Sequence, residues 1–120
     1  MRTHAAIALI FLSSFALAET PGEAKTEINH LLSYLESSGC EFNRNGSWYN
    51  AAAAKNHIVQ KYEFLVDRGS VSTAELFIEH AASKSSTSGK PYLVKCPGAQ
   101  PLKTGTWLRA ELSRYRKSAN

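Results

Sequence analysis

From Ile28 onward the apolar residues fall at Ile28, Leu31, Leu32 and Leu35, the i, i+3, i+4, i+7 spacing that places them on one stripe of an α-helix. The helix is predicted to open at Thr20-Pro21-Gly22-Glu23, a capping box with proline at the first helical position, and to close at Gly39. A second helix is predicted to start near Ser47 to Asn50 and end at Gly69, with Ala51, Ala54, Ile58, Tyr62 and Leu65 on its inward face. A third repeats the capping box at Ser72-Thr73-Ala74-Glu75 and turns Ala74, Phe77, Ile78 and Ala81 inward. The last runs from about Thr106 to Lys117 on a seam of Leu108, Leu112 and Tyr115. Its final turn holds Arg114, Arg116 and Lys117, where cations favour the helix dipole.

Twice the pattern leaves the helical period. In "CEFNRNGSWY" the turn dipeptide Asn45-Gly46 comes after a short strand, Glu41 to Asn43. From Pro91 to Cys96 the residues alternate, with Tyr92, Val94 and Cys96 on one side and Leu93 and Lys95 on the other. A lone strand leaves its ladder groups unpaired, so these two segments are expected to pair. The expected fold is mainly α (α+β): four helices with a short two-stranded antiparallel ribbon.

The first eighteen residues read as a signal peptide. Arg2 supplies a positive start, Ala5 to Leu12 is apolar, and Ala16-Leu17-Ala18 has the small-x-small form of a cleavage site. The apolar run is shorter than the roughly 20 residues a bilayer span requires. The remaining chain, Glu19 to Asn120, is enough for a single small helical domain with one modest core. Export would place Cys40 and Cys96 where thiols oxidise, so the two are expected to form one disulfide and to hold the two strands of the ribbon together. The sequence has no C-x-x-C spacing to support redox exchange, and two cysteines without nearby ligands make a poor zinc site.

The formal charge of +4, or +3 once Arg2 is removed, is too mild for a nucleic-acid binder, and an exported protein seldom meets nucleic acid. Catalytic patterns fare no better. Beyond the leader the histidines fall one per helix, at His30, His57 and His80. His30 lies nearly opposite its apolar stripe and His57 well off its own, so the three are expected to point apart, giving no metal site. Lys103-Thr104-Gly105 copies a K-T-G motif without the S-x-x-K that would supply a nucleophile, and reads as chance. Ser88-Gly89-Lys90 lacks the first glycine of a phosphate loop. Glu75 and Glu79 are spaced for paired carboxylates but read as solvated. The expectation is a protein without catalytic residues or cofactor.

The segment "SKSSTSGKPYLVKCPG", Ser83 to Gly98, gathers hydroxyls, glycine, cations and an aromatic ring. Those are the groups a polar polymer or an anion needs from a site. The candidate binding surface is therefore Ser85, Ser86, Ser88, Gly89, Lys90 and Tyr92, joined by Arg44 and Asn45, which the disulfide would bring near. A flexible connector is the competing reading of the same serines.

The stretches "FNRNG", "AELFIEHAASKSSTSGKPYLVKCPG" and, further on, "TWL" resemble the YfeK-like family of small exported bacterial proteins, whose function is unknown. The resemblance spans nearly the whole chain after the leader. It implies a periplasmic, Gram-negative setting and one small domain, and it carries no activity, cofactor or catalytic residue to transfer. The function expected is a periplasmic binding module that recognises a cell-envelope protein or glycan. The alternative is an inhibitor or immunity-type protein directed at an envelope hydrolase.

Overall fold

The computed structural model describes residues 20–119; the leader expected over residues 1–18, with its cleavage site, lies outside them. Helix α1 spans Gly22–Glu36 and buries Ala24, Ile28, Leu31, Leu32 and Leu35, the stripe its periodicity marks out. It does not begin on a capping box. The Thr20 hydroxyl donates instead to the Val71 carbonyl at 2.8 Å, fastening the start of the chain to the loop before the third helix, and the Pro21 carbonyl opens the helix by accepting from Lys25 N–H. Proline has no side-chain oxygen to accept from the first amides, so the helix starts without a side-chain cap.

Strand β1 (Glu41–Arg44) is followed by a second strand, β2 (Ser47–Tyr49), which occupies the stretch where the sequence suggested the start of a helix. Asn45 and Gly46 both have positive φ, 53° and 89°, the backbone of a two-residue hairpin turn whose twist matches its strands. Asn50 then caps helix α2 (Ala51–Val66) by accepting from Ala53 N–H at 2.8 Å. Helix α3 (Ala74–Phe77) is capped by Thr73, one residue later than the expected Ser72. It widens into a π-helical turn over Ile78–Ala82, where the Ser83 hydroxyl donates to the Ile78 carbonyl at 2.6 Å.

Strands β3 (Leu93–Lys95) and β4 (Leu102–Lys103) lead into helix α4 (Thr104–Ala119). The expected ribbon is present as β1 against β3, but it is the centre of a four-stranded antiparallel sheet in the order β2-β1-β3-β4. The flanking strands have three and two residues, and neither lies in an alternating run like the one from Pro91 to Cys96. Cys40 and Cys96 are bonded one step beyond the Glu41–Lys95 pair of the ladder. On the chain-entropy model, closing that loop stabilises the fold by about 4 kcal/mol.

One hydrophobic core joins the sheet to the helices through Phe42, Val94, Ile58, Phe77, Leu108 and the α1 stripe. Trp107 of α4 meets Phe42 edge-on at 5.6 Å between centroids, and Tyr62 of α2 meets Phe77 at 5.3 Å. Gly105 is held to glycine by contact, since a Cβ there would lie 2.7 Å from Ser83 Oγ, which is itself tied to the π turn. No helix among the described residues is long and apolar enough to cross a membrane.

Candidate functional site

The serine segment is an ordered loop. Tyr92 N–H donates to Ser83 O and Ser85 N–H donates to Lys90 O, two hydrogen bonds that pair Lys84 with Pro91 and close its base. Ser85 is buried, and its hydroxyl accepts from the amides of Thr87 and Ser88 and from the Asn45 side chain. Ser88 in turn donates to Asn45 Oδ1. Gly89 takes positive φ at the tip and donates its N–H to the Ser85 carbonyl, while the Lys90 side chain is exposed. Asn45, Ser85 and Ser88 thus come together as expected, but they use their hydrogen-bonding capacity on one another and dock the loop onto the β1–β2 turn.

Arg44 and Tyr92 go elsewhere, to a cavity of about 180 Å³ between β1, β2 and the first turns of α2. Its apolar side is Phe42, Ala53, Ala54 and Ile58; its polar side is Asn43, Arg44, Tyr49, His57, Tyr92 and Thr104. The Arg44 guanidinium lies 5.0 Å from the centroid of the Tyr49 ring. The Tyr92 hydroxyl accepts from Lys61 Nζ at 3.0 Å and meets His57 Nε2 at 3.1 Å. Lys61 also donates to the Lys84 carbonyl, so the lysine ties the serine loop to α2. A neighbouring depression shares His57 and is lined also by Lys61, Phe64, His80 and Ser86, which places Ser86 at the rim of the same region.

Two of these residues were not anticipated. His57 was placed only as lying well off the Ile58/Tyr62/Leu65 seam, and that off-seam side of α2 faces the sheet. The available signal was Ala53 and Ala54, three and four residues before His57, whose small side chains leave room for a cavity over them. Thr104 sits in the K-T-G read as chance. It is fully buried, its amide donates to the Tyr92 carbonyl at 2.9 Å, and its hydroxyl has no partner among the described residues.

The electrostatics run one way. No Asp or Glu lines the cavity or the neighbouring depression, and neither Arg44 nor Lys61 has a carboxylate partner among the described residues. Burial first, then the Arg44 and Lys61 charges, hold the His57 imidazole below its ordinary pKa, so it is neutral at pH 7. Burial and Arg44 likewise lower Lys61. Burial raises the Tyr92 phenol despite the opposing charge of Arg44, so it stays protonated. At neutral pH the cavity therefore presents a protonated phenol and a neutral imidazole side by side.

A model of a family described only as being of unknown function, DUF5329, matches residues 22–116, nearly all of the described fold. The chain belongs to that family. It is also 33% identical over 88 residues to the Uncharacterized protein YfeK of Salmonella typhimurium, covering 72% of each chain. No solved structure matches it.

Proposed function

We propose that this is an exported binding module of the Gram-negative periplasm, and that it recognises a cell-envelope protein or glycan through the cavity beneath the β1–β2 hairpin. One observation carries the reading: a cavity of about 180 Å³ has an apolar wall opposite convergent polar groups, with one buried hydroxyl left unpaired. That composition is typical of small-ligand sites. The disulfide supports export, since such bonds persist in oxidising compartments. The serine loop contributes by holding the hairpin over the cavity through Asn45.

The test is an NMR titration of the ¹⁵N-labelled protein with soluble peptidoglycan fragments carrying both sugars and peptides. Saturable shifts at Phe42, Arg44, His57 and Tyr92 are expected. Shifts confined to Ser86–Lys90 would move the site to the loop, and tight capture of an envelope hydrolase with no fragment binding would favour the inhibitor reading instead.

A further inference from the structure

We propose that the cavity is a carboxylate site, built to hold the terminal α-carboxylate of a peptide whose last side chain is small and apolar. This rests on the cavity being the binding site, and it names the chemistry of what binds there.

The donor and acceptor inventory comes first. Arg44 donates only, the Thr104 hydroxyl has an O–H to give, and Tyr92 keeps its own O–H for a ligand when His57 Nε2–H donates to the phenol oxygen. Acceptors other than hydroxyls are scarce: Asn43 supplies the only side-chain amide of the lining, its Oδ1 already accepts from Gly46 N–H, and there is no carboxylate. A sugar ring offers hydroxyls that must both give and receive, and a wall this poor in acceptors would leave their protons unsatisfied. A carboxylate only accepts, and two oxygens have room for the donors present.

Charge gives a second, independent argument. Elsewhere in the described fold the half-buried arginine Arg116 is paired with carboxylates, whereas Arg44 and Lys61 stand together beside His57 with none. Two unneutralised cations within one partly desolvated region raise the free energy of the empty site, and a bound anion relieves it. The Thr104 hydroxyl adds to this, because a buried hydroxyl without a partner is uncommon and Thr104 borders the same cavity.

Size and wall then select among anions. A closed apolar cavity of roughly 150 Å³ takes a molecule the size of benzene, so about 180 Å³ takes one residue-sized group and not a chain of sugar rings. Phe42, Ala53, Ala54 and Ile58 provide an apolar wall for that residue's side chain, which inorganic phosphate would leave empty.

The experiment is an NMR titration of the ¹⁵N-labelled protein, monitoring His57 and the cavity residues, with N-acetyl-alanyl-alanine, its C-terminal amide, glucuronate, N-acetylglucosamine and inorganic phosphate. The free acid is expected to saturate the cavity shifts, and the amide to bind about tenfold or more weakly, the loss of a charge-assisted contact. Arg44→Met should weaken the acid by a similar factor. Thr104→Val, which keeps the shape of the side chain, should weaken it about fivefold while the protein remains folded, the equivalent of one neutral hydrogen bond. Equal binding of acid and amide, preference for glucuronate or phosphate, or no saturation by the acid at millimolar concentration each overturns the proposal. If the sugars or the peptidoglycan fragments saturate the cavity where the acid does not, the cavity remains the binding site and only the carboxylate assignment falls. If nothing moves the cavity resonances, both fall.

Discussion

The seam between α1, α3 and α4 and the cavity beneath β1 and α2 treat charge in opposite ways. Along the seam, Glu111 is almost completely buried and accepts from His30 Nε2 at 2.6 Å and from Arg114 Nε at 2.8 Å. Arg116 reaches from α4 to Glu27 on α1 and to Glu75 on α3, joining three helices with one guanidinium. His30 stacks on Tyr115 at 3.9 Å between centroids, so the polar seam is packed as well as neutralised. At the cavity, Arg44, Lys61 and His57 meet with no anion, and a hydroxyl is left over. One region neutralises its charges within the fold; in the other, Arg44 and Lys61 have no carboxylate partner among the described residues and the Thr104 hydroxyl is unpaired.

The Cys40–Cys96 disulfide ties the two central strands beside the cavity, and breaking it should have the largest effect. It fixes β1 to β3 and thereby holds Arg44 and Tyr92 at one cavity. Replacing Cys40 and Cys96 together by alanine is expected to destabilise the protein by about 4 kcal/mol in urea unfolding. A loss below about 1 kcal/mol would mean that the sheet and core hold the site without it.

The seam comes next. Glu111→Ala removes three hydrogen bonds to a buried carboxylate, one from His30 and two from Arg114, and should destabilise by about 2 kcal/mol, tempered because Arg114 can hydrate. The pH dependence has a definite sign. Arg114 above all, then His30, holds the Glu111 carboxyl below its ordinary value of 4.5, and Arg116 does the same for Glu27 and Glu75. Groups with depressed native pKa values stabilise the fold above 4.5, and that contribution is lost as the pH falls through the native values. Acid unfolding monitored by circular dichroism should therefore move to higher pH in Glu111→Ala and in Arg116→Ala. An unmoved acid midpoint in both would show that the seam carries no net electrostatic stability.

Most of the framework was legible in the sequence because it derives from strong local signals. The α1 stripe, the cap region of α3, the α4 seam and the Cys40–Cys96 pairing of two strands all rest on spacing or on compartment chemistry. The sheet was underestimated for a physical reason: β2 and β4 gain their strand character from ladder partners, and neither lies in an alternating run like the one from Pro91 to Cys96. Asn45-Gly46 announced a turn, but the hairpin became visible only once β2 was known to come after it. At the site, the disulfide was expected to bring Arg44 and Asn45 to the serine segment; Asn45 meets Ser85 and Ser88, whereas Arg44 and Tyr92 line the cavity. Residue type could not show that the serines would satisfy themselves. His57 escaped because a helical wheel defines one inward face, and α2 has two, one on the helical core and one on the cavity.

Thr104 offers a smaller effect of opposite sign to the seam. Thr104→Val replaces a buried, unpaired hydroxyl by a methyl group of the same shape, and should stabilise the unliganded protein by about 1 kcal/mol. Thermal unfolding measures it. Destabilisation instead would mean that the hydroxyl is satisfied within the fold, and the contrast between the two regions would lose one of its supports.

The finest distinction between the regions lies in the protonation of His57. Arg44 from β1 and Lys61 from α2 both act on it, Tyr92 contacts Nε2 from the start of β3, and Tyr49 and His80 line the hollows on either side; none of these can supply a negative charge while Tyr92 remains protonated. Removing one cation should therefore raise the His57 pKa, so an NMR titration of Arg44→Met is expected to show the imidazole titrating at higher pH than in the parent protein. A bound carboxylate should act in the same direction by adding the missing charge. Because the ligand raises the pKa, binding takes up a proton, and affinity increases as the pH is lowered through the bound-state value until it levels off below the depressed free-state value. Carboxylate affinity that is flat between pH 7.5 and the ordinary imidazole value of 6.5 and below it would show that His57 lies outside the anion's field. The same flat profile with a normal response to Arg44→Met would leave the arginine as the anion's partner and reduce the histidine to a wall of the cavity.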